Sequence, residues 1–297
     1  MDDDDMTRVL IVGAKGQVGS ELCPILLDEG YEIVATCHSS LDVTNENEVN
    51  AAISDLRLDA VINVSAYTQV DKAESEYEKA YAVNAKGPQY LAKACKSADI
   101  PLIHVSTDYV FDMVTGKPHT PDEETFANCA YGKTKLEGER LIASSSSKYV
   151  IVRTSWVFGR YGKNFVKAIF NKALTTDNLM VVTDELGNPT PARALAYALA
   201  KVCAKCLEPD FKDWGIYHYS GMPYLNRAEF AQEIVKIGQS LGKIQHEVKV
   251  NPILKAQLGL AAKRPDDSRL DCESFTSVFG LSMPCWQDYI EETVLYG

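Results

Sequence analysis

Short apolar runs recur along the chain, each followed by a stretch with helical patterning, and this alternation narrows the fold more than any single motif. "RVLIVGA" (8–14), "YEIVATC" (31–37), "DAVINVS" (59–65), "IPLIHVS" (100–106) and "YVIVRTSWVF" (149–158) have strand length and almost no internal polar positions. Strands apolar on both faces, alternating with helices, belong to a parallel sheet covered on each side. The pattern predicts an α/β fold, a doubly wound parallel sheet of Rossmann type, over residues 6–158. A helix over "GNPTPARALAYALAKVCAKCL" and a short strand in "GIYHYSG" extend that dinucleotide-binding unit over about 192–220. Residues 159–191 and 221–297, with Pro, Gly and aromatics interspersed, read as a smaller C-terminal substrate-binding region.

The chain has 297 residues, enough for a sizeable core, and its hydrophobic (46%) and charged (24%) fractions suit a globular enzyme. Formal charge is −11, but Asp2 to Asp5 form an acidic extension (1–5) ahead of Met6, which reads as the more natural start. A mildly acidic chain without a Lys/Arg run does not suit nucleic acid or an anionic membrane, and no apolar run reaches the ~18–20 residues of a membrane span. With no signal peptide before Val9 and eight cysteines in no framework spacing, reduced thiols in a cytoplasm are expected. Cys203 and Cys206 form an isolated CxxC within an apolar helical pattern, which reads as two helix thiols, and no metal site is expected.

Gly13, Gly16 and Gly19 follow the first strand and open the first helix. Glycine is required where backbone turns sharply, approaches a pyrophosphate and packs helix on strand, and the helix N-terminus offers free N–H groups to phosphate. At the end of the second strand an acid would bond the 2′-hydroxyl of NAD, and in "ATCHSSLD" Cys37, His38, Ser39 and Ser40 stand at that place instead. That permits NADPH, with Ser39, Ser40 and His38 as bonding groups. No arginine is present as a clamp, so NADH stays open, and His38 reads equally well as a solvated loop residue.

In "AYGKTKLEGE" (130–139), Tyr131 and Lys135 share one helix face at i and i+4. A tyrosine with its pKa of roughly 10 is a poor proton donor or acceptor at neutral pH, and a neighbouring ammonium favours the phenolate. A hydroxyl that both bonds a carbonyl oxygen and transfers a proton is what ketone reduction requires. Thr107 stands 24 positions earlier at a strand end, where such sheets bind ligands, as a second donor to that oxygen. A bare YxxxK also occurs on solvated helix faces; the ordered set with the glycine turn points to catalysis.

The chain resembles the extended short-chain dehydrogenases/reductases, and more narrowly the dTDP-4-dehydrorhamnose reductase family. The resemblance runs from Arg8 onward through "VLIVGAKGQVGSEL", "VINVSAYTQVDKAE", "HVSTDYVFD", "YGKTKLEGE", "VRTSWVFGRYGKNFV", "DELGNPT" and "KRPDDSRLD". It implies that Gly13, Gly16, Gln17, Val18 and Gly19 hold the pyrophosphate and that Asp42 and Val43 flank the adenine. Ser65, Ala66, Tyr67 and Thr68 would line the nicotinamide side, Lys135 would bond its ribose, and Thr107, Tyr131 and Trp156 would surround the sugar. Asn84 would serve a water-borne proton relay, or else bond its own backbone at a helix bend. The implied reaction is NADPH-dependent reduction of the C4 ketone of dTDP-4-dehydrorhamnose to dTDP-L-rhamnose, for surface polysaccharide.

The dTDP-sugar substrate implies cations for its diphosphate. Lys263, Arg264 and Arg269 are available, unless that loop is neutralised by Asp266, Asp267 and Asp271. Trp156 either packs on the sugar or fills the domain junction. Met113 and Ala194 depart from the family's usual glycine and acid without touching Thr107, Tyr131 or Lys135. Two other readings share the fold: an epimerase or dehydratase that recycles its dinucleotide, and a non-catalytic subunit like the regulatory one of methionine adenosyltransferase. Short exposed helices leave a homodimer open.

Overall fold

The structure is a computed structural model and describes residues 6–296, so the acidic extension 1–5 lies outside the described residues. Strand β1 (Arg8–Val12) lies between β2 (Glu32–Thr36) and β3 (Ala60–Asn63), and β3 is followed outward by β4 (Leu102–Thr107) and β5 (Tyr149–Thr154). The segment Gly215–His218 returns to the sheet and completes the far edge against β5. All five pairings are parallel, the doubly wound arrangement that the apolar runs predict. Strand order reverses at β1 and β3, so the carboxyl ends of these two strands flank the crevice where such sheets take ligands.

Alternate residues of each strand supply the two faces. Val9, Ile11, Ile62, Ile103 and Val150 pack beneath the helices Gln17–Asp28 and Ala192–Cys206, through Leu22, Leu26, Leu195 and Leu199. Leu10, Val12, Val61, Leu102 and Ile151 pack on the opposite face, against Val49, Ile53, Leu91 and Cys95 of the helices Glu46–Asp55 and Gly87–Ala98. Each such side chain, removed from water, contributes roughly 1.5–3 kcal/mol before entropy is counted, which is why the sheet needs both helix layers. Cys203 and Cys206 are both buried, and burial pushes both thiols up, Cys203 to about 12.

Two runs that read as single elements are broken. The helical stretch after Ser75 is Tyr77–Tyr81, then a wider turn over Ala82–Lys86, then Gly87–Ala98, and the wide turn presents Asn84 inward. The apolar run 149–158 divides into β5 and a two-residue strand, Val157–Phe158, because Trp156 takes a left-handed conformation with φ +45°. The chain there leaves the sheet and enters a second core, where Phe158, Val166, Phe170, Leu225, Phe230, Trp286 and Ile290 meet. That core is covered by a parallel strand pair, Asn178–Val182 with Lys249–Ile253. Phe275 and Phe279 of the helix Glu273–Phe279 pack instead on the first core. Among the described residues no helix is long and apolar enough to cross a membrane.

The helix Ala130–Ser145 is anchored to the sheet by a buried ion pair. Arg153 Nη2 of β5 donates to Glu139 at 2.7 Å, its Nε donates at 3.0 Å, and the Ser106 hydroxyl also donates to this carboxylate. Substituting Arg153→Met leaves that carboxylate buried without its cation. The expected loss is about 3–5 kcal/mol, read from the urea unfolding midpoint.

Candidate active site

The glycine turn follows from backbone sterics. Gly13 has φ +92°, and a Cβ there would stand 2.8 Å from the backbone nitrogen of Ser65 at the end of β3. Gly13 N and Ala14 N both donate to the Thr36 carbonyl, which ties the turn to the end of β2. Gly16 caps the helix Gln17–Asp28 without any side chain on the leading N–H groups, leaving donors and the positive end of the helix dipole for an anion. This cradle fits the pyrophosphate of a dinucleotide. Gln17 accepts from Asn164 Nδ2 at 3.1 Å, Val18 packs on the first core, and Gly19 is buried against the turn.

Beside the turn, Ser40 Oγ accepts from Cys37 N at 2.9 Å, and Cys37 Sγ lies 3.1 Å from Ser39 Oγ. These hydroxyl bonds, with a smaller contribution from Lys15, hold the Cys37 thiol down at about 7. Lys15 therefore brings a cation to the end of β2, where reading β2 alone found none; it belongs to the glycine loop and reaches this spot through the tertiary fold. Asp42 accepts from Thr44 N and Thr44 Oγ1, and Val43 is buried against Gly87. Ser65 donates to Asn63 Oδ1 from both its N–H (3.0 Å) and its hydroxyl (2.7 Å). Asn84 does not bond its own backbone, since its amide accepts from Tyr67 N at 2.8 Å and donates to Tyr67 O and Thr134 Oγ1. It therefore clamps the loop carrying Ser65, Ala66, Tyr67 and Thr68, while Tyr67 bonds Glu76 through its hydroxyl and Thr68 is exposed.

Tyr131 and Lys135 stand in the helix Ala130–Ser145, whose first N–H is taken by Glu74 and whose Gly132 N donates to the Cys129 thiol. Lys135 is 2% exposed, donates from Nζ to Val105 O at 2.7 Å, and has His104 Nε2 at 3.4 Å. Burial lowers its pKa to about 8 against the opposing pull of Glu139. The Tyr131 phenol lies beside Thr107 and stacks edge-on to Tyr109, with ring centroids 5.3 Å apart. Burial outweighs the opposing influence of Thr107 and pushes the phenol above its ordinary value. The protein alone thus keeps Tyr131 protonated, whereas the sequence suggests that the lysine lowers it; Nζ is engaged by β4 instead.

The Thr107 hydroxyl donates to Asp108 Oδ1 at 3.0 Å and accepts from Tyr109 N at 3.1 Å. Its single hydrogen is therefore held by Asp108, and Tyr131 is the donor at hand for a carbonyl oxygen. Asp108 is itself buried, accepts from Ser268 Oγ at 2.6 Å, and is raised to about 6 by that burial. Deprotonated Asp108 orients Thr107, and protonation of Asp108 weakens its hold on that hydrogen.

The C-terminal loop closes over this edge. Arg264 makes a two-pronged bond to Asp71 (2.6 and 3.1 Å), and Arg269 makes one to Asp267 (2.7 and 2.8 Å). Arg269 thus follows the self-neutralising reading, while Arg264 finds its acid on the short helix Val70–Ala73 that follows β3. Trp156 is half-buried at the junction and packs on the second core. Arg227, absent from the sequence reading, lies with its Cζ 3.6 Å from the Trp156 ring centroid and 4.9 Å from that of Phe165. Its one hydrogen bond is a long one from Nε to Glu185, 3.4 Å, so its terminal nitrogens have no partner among the described residues. Only tertiary folding brings residue 227 beside 156, and no local spacing signals it.

A parallel sheet with a glycine turn at its switch point and a Tyr/Lys helix at the same carboxyl edge defines a Rossmann-type protein of the short-chain dehydrogenase/reductase kind. The family model "RmlD substrate binding domain" matches residues 6–295, and the chain belongs to this family. A dTDP-4-dehydrorhamnose reductase of Aggregatibacter actinomycetemcomitans is 39% identical over 98% of this chain and 99% of its own length. The crystal structure of dTDP-4-dehydrorhamnose reductase from Bacillus anthracis in complex with NADP superposes with a TM-score of 0.90 at 32% identity, covering 98% of this chain and all of the other. A Clostridium acetobutylicum orthologue superposes at 0.89 with 36% identity, over 97% of this chain and 98% of its own.

The turn predicts its own test. Gly13→Ala forces a strained φ and a contact on the Ser65 backbone, and titration by protein fluorescence is expected to give a dinucleotide Kd raised at least about tenfold, a loss of about 1.4 kcal/mol.

Proposed function

We propose that this protein reduces the C4 ketone of dTDP-4-dehydrorhamnose to dTDP-L-rhamnose with NADPH, and that Tyr131 donates the proton. The observation that carries the reading is a buried, protonated Tyr131 phenol beside Thr107, one helical turn from the buried Lys135, at the carboxyl edge of the sheet beside the glycine turn. NADPH supplies the hydride. The chain's own work is placement and proton delivery. Gly13, Gly16, Gln17, Val18 and Gly19 receive the pyrophosphate at the helix N-terminus, Asp42 and Val43 flank the adenine, and the loop from Ser65 to Thr68, clamped by Asn84, lines the nicotinamide side.

The ketone oxygen is held by Tyr131, with Thr107 joining once its hydrogen leaves Asp108, and the proton passes from the phenol as negative charge develops on that oxygen. A phenol pushed up by burial keeps its proton until the oxygen calls for it. Trp156 packs on the sugar. Arg227, stacked on that indole with open N–H groups, faces the substrate's oxygens, and Arg264 reaches them by exchanging its bond to Asp71. Arg269, already bonded to Asp267, supports the loop. Residues 6–158 and about 192–220 form the dinucleotide unit, and about 159–191 and 221–297 the sugar-nucleotide unit. The grouping of Val166, Phe170, Phe230 and Trp286 in a core of their own supports that division, although Phe158 joins this core and Phe275 and Phe279 join the first. The product serves surface polysaccharide synthesis, and the enzyme works in a cytoplasm.

NADPH is favoured over NADH by the absence of an acid at the end of β2 and by Lys15 beside Cys37. Lys15→Ala is expected to raise the Kd for NADPH about tenfold and leave that for NADH unchanged, as befits one charge-assisted contact to a 2′-phosphate; equal losses for both would refute this assignment. Tyr131→Phe is expected to lower kcat for NADPH oxidation with dTDP-4-dehydrorhamnose roughly 10²–10⁴-fold while dinucleotide binding persists. Absence of turnover in the wild type with either dinucleotide would point to the epimerase or the non-catalytic reading.

A further inference from the structure

Behind Lys135 a buried polar chain crosses β3 and β4. His104 is wholly buried, with Nδ1 3.0 Å from Asn63 Nδ2 and Nε2 3.4 Å from Lys135 Nζ. The Asn63 amide has one admissible orientation: its oxygen accepts from the Ser65 backbone N–H, a group that can only donate, and from the Ser65 hydroxyl. Turning the amide over would set two donors against each other. Its NH₂ therefore donates to His104 Nδ1, and a neutral imidazole that accepts at Nδ1 carries its hydrogen on Nε2. That hydrogen points at Lys135 Nζ. A free amine accepts it while still donating to Val105 O; an ammonium opposes donor to donor.

We infer that Asn63 and His104 form a tautomer lock that biases Lys135 toward its free amine, so that the lysine takes up and releases a proton in each turnover instead of standing as a permanent cation. Both act through Lys135 and are positioning residues; the inference rests on the assignment of Lys135 to the reaction.

The other charged or titratable groups facing Lys135 are accounted for. Glu139, one turn along the same helix, favours the ammonium, but its carboxylate is held by Arg153 and the Ser106 hydroxyl. Tyr131, one turn before, is an uncharged phenol. His104 itself is kept neutral chiefly by its burial. The lowered pKa of Lys135, about 8, agrees with this arrangement.

The proton balance closes. The Tyr131 proton goes to the alkoxide formed from the ketone, a proton released by the Lys135 ammonium and carried over an intervening hydroxyl or water restores the phenol, and the amine that results is the form His104 Nε2–H supports until solvent reprotonates it. One hydride and one solvent proton enter per ketone reduced.

The first test needs no variant: ¹⁵N NMR of the His104 ring in the labelled wild-type protein. A bare Nδ1 and a protonated Nε2 support the lock, and the reverse tautomer overturns it. The second exchanges the lock. In Asn63→Asp the carboxylate accepts from Nδ1–H and leaves the Nε2 lone pair for the lysine, so the Lys135 titration, followed by ¹³Cε-lysine NMR and assigned with Lys135→Arg, is expected to move up by about one pH unit or more. Asn63→Asp/His104→Leu keeps the new charge without the ring. A shift as large in the double variant as in the single one would assign the effect to charge alone and overturn the lock. Neither readout requires turnover, so failure of the protein to reduce a ketone would count against the reductase reading and leave these results standing.

Discussion

The seating of one helix against the sheet governs the site. The helix Ala130–Ser145 crosses the segment Ala82–Lys86 at Gly138, where a Cβ would overlap the Asn84 carbonyl, so any larger residue would push the helix outward. At that depth Lys135 reaches the Val105 carbonyl and Glu139 reaches Arg153 and Ser106. Burying a lysine and a glutamate on adjacent turns is costly unless each is bonded, and the strands supply those bonds from β4 and β5. A helix displaced by an ångström or two would lose the Lys135 and Glu139 contacts together, while Tyr131 would part from Thr107.

The same economy of buried polar groups joins the two units. Among the described residues Asp108 has no cation in contact and is satisfied by two hydroxyls, one from the adjoining Thr107 and one from Ser268 of the C-terminal loop. Arg264 crosses from that loop to Asp71, and Ala262 N donates to the same carboxylate at 3.0 Å. Asn188 contributes further, donating to Gly221 O and accepting from Leu270 N. These bonds are directional and nearly all drawn from different elements, so they set how the C-terminal loop lies across the carboxyl edge. Hydrophobic contact alone would hold the units together without specifying that angle.

What can be read from the chain alone is what local backbone geometry dictates. A glycine turn needs left-handed φ at Gly13 wherever it occurs, and i,i+4 spacing puts Tyr131 beside Lys135 on any helix. The apolar strand runs announce a covered parallel sheet before any contact is known. The return of Gly215–His218 to the sheet was legible for the same reason, since its composition suits a strand and little else. Less legible were the breaks at Trp156 and at Ala82–Lys86, because a positive φ or a widened helical turn at non-glycine residues is imposed by packing that no local preference reveals.

Composition and spacing by themselves determined the fold class, the position of the dinucleotide turn and the Tyr131/Lys135 face, because each depends on residues within one or two elements. Tertiary structure alone decided the partners: Lys15 beside Cys37, Asn63 and His104 behind Lys135, Asp108 under Ser268, Arg227 on Trp156, Arg264 on Asp71. Those pairs lie between about twenty and two hundred positions apart. Which of the many donors and acceptors along a chain meet at such separations is settled by the sheet order and the angle between the units, and by the rule that a buried polar group must find a partner.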